Sequence, residues 1–182
     1  VFDIEKLNWM NGTYMRAMDP DRLTALVIEW LEKPEADGGL PDQVQRPLDF
    51  DYTRRIVPLI RERVKLLPEA RDMMAFFYLP DGVDPDPKAL LGKAFANDPE
   101  RARLLLSEAL VAAEDQSAWT HDVLEPAYRD LAARLGAKPG DLFMLMRVAV
   151  TGRTVAPPLF DTLEIIGRER CVRRLRVALN LI

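Results

Sequence analysis

Two helical patterns meet at a turn in the stretch Arg147-Val-Ala-Val-Thr-Gly-Arg-Thr-Val-Ala-Pro-Pro-Leu-Phe-Asp161, which decides the fold around it. Gly152 is predicted to end the first helix, because glycine most easily adopts the left-handed conformation found just after a helix. Pro157 and Pro158 stiffen the connection, and the apolar spacing of a helix resumes after them. The stretch therefore predicts two helices joined by a short, stiff loop.

Helical spacing continues outward from this stretch over nearly the whole chain. Pro58 is expected to kink one helix, and residues 33–47 are predicted to be a loop broken by turns. Predicted helices cover residues 2–16, 20–31, 51–66, 70–77, 88–95, 99–113, 119–135, 139–150, 158–165 and 168–181. The acids and polar residues expected to cap them, or to lie in their first turns, are Asp3, Asp19, Asn97, Asp98, Ser117 and Asp141.

A proline-rich acidic segment, Pro80-Asp-Gly-Val-Asp-Pro-Asp-Pro87, is the strongest boundary signal in the chain. It separates one set of helical patterns from the next. Neither strand alternation of convincing length nor an internal repeat is visible. We therefore predict an all-α fold made of two consecutive helical units.

Size and composition exclude several classes of protein. The chain has 182 residues with 48% hydrophobic content, enough to bury a core. Cys171 is the single cysteine, so an internal disulfide and a multi-cysteine metal site are excluded, and its apolar helical neighbours predict a buried, inert thiol. No apolar run approaches the ~20 residues of a membrane span. The first residues are neither a signal peptide nor an initiator methionine, so we expect a cut inside a longer chain.

Positive charge is concentrated at the C-terminal end. Residues 147–182 hold seven arginines, no lysine and three acids, for a net charge of +4; the whole chain carries −4, so residues 1–146 carry −8. This asymmetry predicts a localised anionic partner, and arginine without lysine favours planar recognition of RNA or another phosphate-bearing ligand. Arg170, Arg173 and Arg174 are expected to share the exposed face of the last helix, either touching phosphate or keeping the helix soluble.

Catalytic and metal-binding residues are not expected in this chain. His121 is the only histidine; it lies near a predicted helix start and is expected to be solvated. The acid pairs lack metal-ligand neighbours, and no glycine-rich phosphate loop or cysteine pair is present. The sequence therefore favours a binding module over a self-contained enzyme.

Arg147 and Arg63 are the two candidates for recognising an anionic ligand. Arg147 falls in the last turn of its helix beside the stiff loop, where a planar donor can meet a base edge or stack on a base. Taken alone, a cation that stabilises the helix C-terminus is the simpler interpretation. Arg63 belongs to a basic cluster after Pro58 that, taken alone, favours a solvated helix face.

Segments at both ends of the chain match one known family. Near the start the sequence reads Phe2-Asp-Ile-Glu-Lys-Leu-Asn-Trp-Met-Asn-Gly-Thr-Tyr-Met15. Near the end it reads Leu145-Met-Arg-Val-Ala-Val-Thr-Gly152, Pro157-Pro-Leu-Phe160, Leu163-Glu-Ile-Ile-Gly-Arg-Glu-Arg170 and Arg173-Arg-Leu175. In this order these segments resemble the C-terminal half of bacterial-type glutamyl-tRNA synthetases, and together they cover essentially the whole chain.

The resemblance implies a division of labour with a catalytic part that is not in this chain. The family binds ATP and Mg²⁺ and activates glutamate in an upstream domain whose two nucleotide-binding motifs do not occur here, so no cofactor and no activity are expected of this chain alone. Residues 1–18 would end the stem-contact region, and residues 19–87 and 88–182 would be two anticodon-binding helical domains that form a helix cage. The implied partner is tRNA-Glu, not DNA or a membrane, and the implied protein is a cytoplasmic monomer.

The resemblance also assigns roles to individual residues. Arg147 matches an arginine that reads anticodon bases just before a Thr-Gly turn. Arg63 matches an arginine that favours cytosine over guanine at the third anticodon position, which separates glutamate from glutamine anticodons. The remaining positions that match the anticodon-binding set are Thr151, Gly152, Ala156, Pro157 and Leu159.

A second hypothesis of a different class stays open at this point. The chain could be a helical scaffold that binds protein partners, with arginines that only keep its surface soluble. Binding to tRNA-Glu that depends on the anticodon would separate the two hypotheses, because a scaffold predicts none.

Overall fold

The computed structural model describes residues 3–79 and 82–182. All regular secondary structure in those residues is helical, which confirms the predicted all-α class. The chain divides into two units, Val1–Pro80 and Asp81–Ile182, as the two-unit prediction requires. The finer functional division, with limits at residues 18 and 87, stays a prediction. Residue 2 of the first predicted helix and residues 80 and 81 of the predicted boundary lie outside the described residues.

The first unit contains a three-helix core, to which the N-terminal helix is joined. Its described helices are α1 (Ile4–Ala17), α2 (Pro20–Leu31), α3 (Phe50–Ile60) and α4 (Leu67–Tyr78), with one turn of 3₁₀ helix at Glu35–Asp37 in the long loop. α2 packs against both α3 and α4. Val27, Ile56 and Phe77 are buried where these helices meet.

The second unit is built around one buried helix. Its described helices are α5 (Pro87–Leu91), α6 (Pro99–Asp115), α7 (His121–Arg134), α8 (Pro139–Thr151), α9 (Leu159–Ile166) and α10 (Arg168–Leu179). α8 contacts each of the other five. A helix that is apolar on most sides is covered on most sides, and the buried residues of α8 are Leu142, Leu145, Met146, Val148, Ala149, Val150 and Thr151. α8 is therefore a rigid support for whatever follows its C-terminus.

Most helix starts follow the predicted chemistry. Prolines occupy the first position of several helices, where their missing N–H is not needed. Three predicted caps accept hydrogen bonds from backbone amides: Asp3, Asp19 and Asp98. The predicted cap at Ser117 is wrong, because α7 begins after Thr120. Asp141 lies in the first turn of α8, where the positive end of the helix dipole stabilises its negative charge.

α3 ends earlier than its apolar pattern predicts. The predicted helix 51–66 ends at Ile60 in the structure. Pro58 lies inside the observed helix. The carboxylate of Glu69 accepts from the backbone N–H groups of Lys65 (2.7 Å) and Leu66 (3.3 Å). The Glu69 side chain thus caps the start of α4 by accepting from the backbone N–H groups at and just before its N-cap, and these residues do not continue α3.

The predicted inert thiol is confirmed. Cys171 is buried on the inner side of α10, and burial raises the pKa of its thiol to about 12. A thiol that stays protonated at neutral pH is a poor nucleophile. In the described part of the chain, no helix is long and apolar enough to cross a membrane.

Candidate nucleic-acid interface

The α8–α9 loop, residues 152–158, begins with a glycine that its geometry requires. Gly152 has φ of +70°, and its N–H donates to Val148 O at 2.8 Å, which closes α8. A Cβ at this position would lie 3.3 Å from Cβ of Val83, tighter than most such contacts. Both the left-handed conformation and the space therefore favour glycine. The predicted helix end at the Thr-Gly pair is confirmed.

Thr151 joins the last turn of α8 to the first residues of the loop. Its side chain is buried, and Oγ1 donates to the carbonyl oxygen of Arg147 at 2.7 Å. Oγ1 of Thr151 in turn accepts from the N–H of Arg153 at 3.2 Å. A single hydroxyl thus holds the helix end and the start of the loop in one arrangement.

Arg147 fastens the other end of the loop to α8. Its side chain is half-buried, and Nη1 donates to Ala156 O at 3.0 Å and to Pro157 O at 2.7 Å. Hydrogen bonds from a charged guanidinium are stronger than those between neutral groups. They fix the plane of the guanidinium as well as the path of the loop. The sequence places Arg147 beside this loop, but its hydrogen bonds to the loop's own carbonyls are visible only in the structure.

Three of the predicted anticodon-binding positions form the buried floor of the loop. Ala156 and Leu159 are 4% and 5% exposed, and Pro157 is also buried. The residues at the tip are exposed instead: Arg153, Thr154 and Val155, the last with 64% of its surface accessible. The structure thus separates a buried floor from an exposed tip, a distinction that the sequence pattern did not make.

The three predicted arginines of α10 are in different environments. Arg173 is exposed, as expected. Arg170 is half-buried, and its Nε donates to Ile166 O at 2.8 Å. Arg174 is only 3% exposed and donates from Nη1 to Val150 O at 2.8 Å, so its predicted place on the exposed face is wrong. The physical reason is helical spacing, because Arg174 follows Cys171 by three residues and therefore points to the same buried side.

Arg63 lies in the first unit, whereas all the other predicted site residues lie in the second. It is exposed in the turn between α3 and α4, where its N–H donates to Ile60 O at 2.8 Å. Its neighbour Arg61 turns inward and donates to the carbonyls of Arg16 and Met18, which ties the end of α1 to this turn. Of these two arginines, the structure exposes the one that was predicted to meet a ligand.

The start of α7 at His121 is joined to α9 by contacts that the sequence pattern does not show. Its Nδ1 lies 3.1 Å from Oδ1 of Asp161 on α9, and its Nε2 lies 3.2 Å from Oε2 of Glu125 on α7. A hydrogen bond from Arg129, followed by the charges of Arg129 and His121, lowers the pKa of Glu125. The backbone N–H of His121 donates to Glu164 of α9 at 2.6 Å. These contacts hold α9, the helix that follows the loop, against α7.

This geometry suits binding better than catalysis. Fixed backbone and a fixed guanidinium surround an exposed loop tip, and such a surface can recognise a planar ligand through shape and hydrogen bonds. In residues 3–79 and 82–182, no group of three or more histidine, cysteine or acidic side chains is placed to hold a metal ion.

Comparison with known proteins identifies a family. A family model described as "Anticodon binding domain" matches residues 22–179. The glutamate–tRNA ligase of Dehalococcoides mccartyi is 40% identical over 179 residues, which cover 98% of this chain and 35% of the relative. The glutamate–tRNA ligase of Roseiflexus castenholzii is 42% identical over 182 residues, covering 98% and 34%. The chain thus spans about a third of the length of these relatives.

Solved structures share the fold. The crystal structure of a glutamate tRNA ligase from Elizabethkingia meningosepticum aligns with a TM-score of 0.73 over 98% of this chain and 32% of that chain. The two sequences are 21% identical in this alignment, so the likeness concerns the fold.

Proposed function

Because this chain belongs to the anticodon-binding domain family, we propose that it recognises the anticodon of glutamate tRNA as part of a glutamate–tRNA ligase. The observation that carries the proposal is the α8–α9 loop, attached to α8 at both ends and exposed at its tip beside Arg147. The preference for glutamate tRNA draws on relatives named glutamate–tRNA ligase at 40% and 42% identity.

Recognition of single-stranded bases explains why the loop is held so firmly. Anticodon bases can leave their stack and be read on their Watson–Crick edges or stacked on arginine. A loop and a guanidinium that are already in place lose little conformational freedom when a base arrives. Arg147 is the residue proposed to read a base, with Thr151 and Gly152 setting the turn and Ala156, Pro157 and Leu159 forming the floor.

Arg63 is proposed to read a second base from the first unit. An exposed arginine at a turn can donate two hydrogen bonds to O6 and N7 of guanine, or donate to the acceptors on the edge of cytosine. Which of the two bases it prefers depends on where the backbone places its side chain. We assign to it the preference for cytosine over guanine at the third anticodon position. That preference would separate glutamate from glutamine anticodons. Arg173, exposed on α10, and the half-buried Arg170 are proposed to contact the RNA backbone.

The chemical step is proposed to take place outside this chain. Activation of glutamate with ATP and Mg²⁺ would belong to the remainder of the ligase, because this chain spans about a third of its relatives. We expect the ligase to act as a monomer in the cytoplasm, where translation uses its product. The chain alone is expected to bind tRNA without charging it.

Fluorescence titration with two tRNAs tests the proposal. One is tRNA-Glu, and the other is the same tRNA with an altered anticodon. We expect tighter binding of tRNA-Glu, with an affinity that falls as salt rises because phosphate contacts release counterions. Equal binding of both tRNAs, or none, would exclude anticodon recognition and favour the protein scaffold. ATP consumption by the chain alone would contradict the proposed division of labour.

A further inference from the structure

A buried arginine beneath the α8–α9 loop carries an inference that rests on the proposed function. Arg174 is 3% exposed, so it cannot form the extensive surface contact with RNA that an exposed arginine could. Its Nη1 donates to Val150 O at 2.8 Å. Val150 is the next-to-last residue of α8 and lies directly before Thr151 and Gly152. The bond therefore ends where the loop begins.

The position of this bond matches a need of the helix. The last carbonyls of a helix have no partner within it, and the C-terminus carries a partial negative charge. A cation that donates to the carbonyl of Val150 gives that carbonyl a partner and places positive charge at the negative end of the helix. A well-packed apolar side chain would often serve stability as well as a buried charge does. Stability alone is therefore a weak reason for an arginine at position 174.

A second set of contacts connects Arg174 to the turn. Gly82 has φ of +95°, and a Cβ there would lie 3.6 Å from Cγ of Arg174. The next residue, Val83, is the one that a Cβ at Gly152 would approach to 3.3 Å. The side chain of Arg174 and the Gly152 turn are thus packed against the same two-residue segment. A change at Arg174 can reach the turn both through the hydrogen bond to Val150 and through this segment.

We propose that Arg174 is a positioning residue that sets the direction of the α8–α9 loop, so that discrimination between anticodons depends on a side chain buried beneath the RNA-binding surface. Arg147 holds the far end of the loop through Ala156 and Pro157, and Arg174 holds the near end through Val150. The loop tip, residues 153–155, lies between the two attachments. Its orientation is then a property of both arginines together.

The test compares matched substitutions on one helix. Arg174→Met removes the hydrogen bond and keeps an unbranched side chain of similar length, whereas Arg174→Lys keeps the charge and a single donor nitrogen. Arg176→Gln is the control, because Arg176 is exposed on the same helix and pairs with Glu114 at 2.5 Å. Each variant is titrated with tRNA-Glu and with the tRNA of altered anticodon, and hydrogen exchange follows the amides of Gly152 and Arg153.

We expect Arg174→Met to lower the ratio of the two affinities roughly tenfold, the size of one hydrogen bond to a charged group. The amides of Gly152 and Arg153 should exchange faster while the middle of α8 stays protected. Arg174→Lys should recover part of the ratio, and Arg176→Gln should leave the ratio unchanged. An equal fall in both affinities, or an unchanged ratio, in folded Arg174→Met would overturn the inference.

Two further outcomes are also decisive. If the wild-type chain itself shows no preference between the tRNAs, the proposed function fails and the inference falls with it. If neither variant at position 174 folds, the rate of hydrogen exchange of the Arg174 guanidinium protons in the wild type tests the inference instead. Slow exchange supports a fixed bond beneath the loop, whereas exchange as fast as that of exposed Arg173 overturns it.

Discussion

The α8–α9 loop and the α3–α4 turn each present an arginine, but they hold it in opposite ways. At the loop, Arg147 of α8 is half-buried, and its Nη1 donates to two backbone carbonyls of the loop. In the turn, the backbone is held by Arg61 and Glu69, whereas Arg63 extends into solvent. One region fixes the recognising side chain, and the other fixes only the backbone that carries it.

This difference predicts unequal contributions to recognition. A long exposed side chain loses up to about 2 kcal/mol of rotamer freedom when a ligand orders it. A guanidinium already held by protein carbonyls has lost much of that freedom during folding. The loop should therefore dominate anticodon recognition, and the turn should adjust it at one base.

Arg147→Ala should have the largest effect on discrimination between anticodons. It removes two charge-assisted bonds to the loop together with the proposed base contact. We expect discrimination between tRNA-Glu and the altered tRNA to fall by about 2–3 kcal/mol, roughly 30- to 150-fold in the affinity ratio. Fluorescence titration measures it, with Arg147→Lys as the charge-preserving variant. Lysine should restore little, because an ammonium lacks the planar fork. A uniform loss for all RNAs would make Arg147 a phosphate contact.

Gly152→Ala should disturb the loop from its other end. Alanine must adopt φ of +70° with its Cβ 3.3 Å from Val83, and the left-handed conformation alone costs an L-residue about 1–2 kcal/mol. We expect the second unit to lose about 1–3 kcal/mol of unfolding free energy, measured by urea denaturation, and to lose anticodon preference.

Two other glycines separate conformation from crowding in this experiment. Gly136 has φ of +61° and open space around its position, so Gly136→Ala should show the conformational part alone. Gly140 lies in α8 with open space, and Gly140→Ala should stabilise by about 0.5–1 kcal/mol. If Gly152→Ala is no worse than Gly136→Ala, crowding by Val83 has no effect on the turn.

Arg63→Ala should have a smaller and more selective effect. The side chain is exposed and must be ordered by the ligand, so we expect about 1 kcal/mol, roughly fivefold, in the preference between cytosine and guanine at the third anticodon position. Titration with two tRNAs that differ only at that base measures it. The preferences at the other two bases should stay unchanged. A loss as large as that of Arg147→Ala would refute the distinction between the two regions.

The smallest effect is expected from the Glu125–Arg129 pair within α7. The pKa of Glu125 is lowered in the folded chain, first by its hydrogen bond with Arg129. A lowered carboxyl pKa adds stability above the unfolded value near 4.5, and this stability is lost as pH falls through the folded pKa. Tm should therefore differ between wild type and Glu125→Gln at pH 7 and converge in acid. Arg129→Gln should reduce the difference at pH 7, and an unchanged difference would contradict the assignment.

The sequence was sufficient for features encoded within one element. Caps such as Asp19 and the end of α8 at Gly152 follow from local backbone chemistry. The early end of α3 does not follow from local chemistry, because Glu69 accepts from backbone N–H groups of residues that the apolar pattern assigned to α3. Arg174 was misplaced because a charged residue was assumed to face solvent, whereas the carbonyl of Val150 on another helix supplies its partner.

Contacts between elements also explain what was missed at the candidate site. Nothing in the local sequence shows that His121 and Asp161 approach to 3.1 Å, since they lie on α7 and α9. The same holds for the bonds from Arg147 to its own loop, which need the loop to fold back on α8. The family resemblance identified the candidate site residues, whereas their geometry depends on packing between helices.

Chemical probing of the anticodon bases tests the central claim most directly. The Watson–Crick edges of tRNA-Glu are modified in the presence of the wild-type chain, of Arg147→Ala and of no protein. We predict that the wild-type chain protects the anticodon bases and that Arg147→Ala loses most of this protection while the remaining RNA contacts persist. Anticodon bases that react equally with and without the wild-type chain would contradict the account.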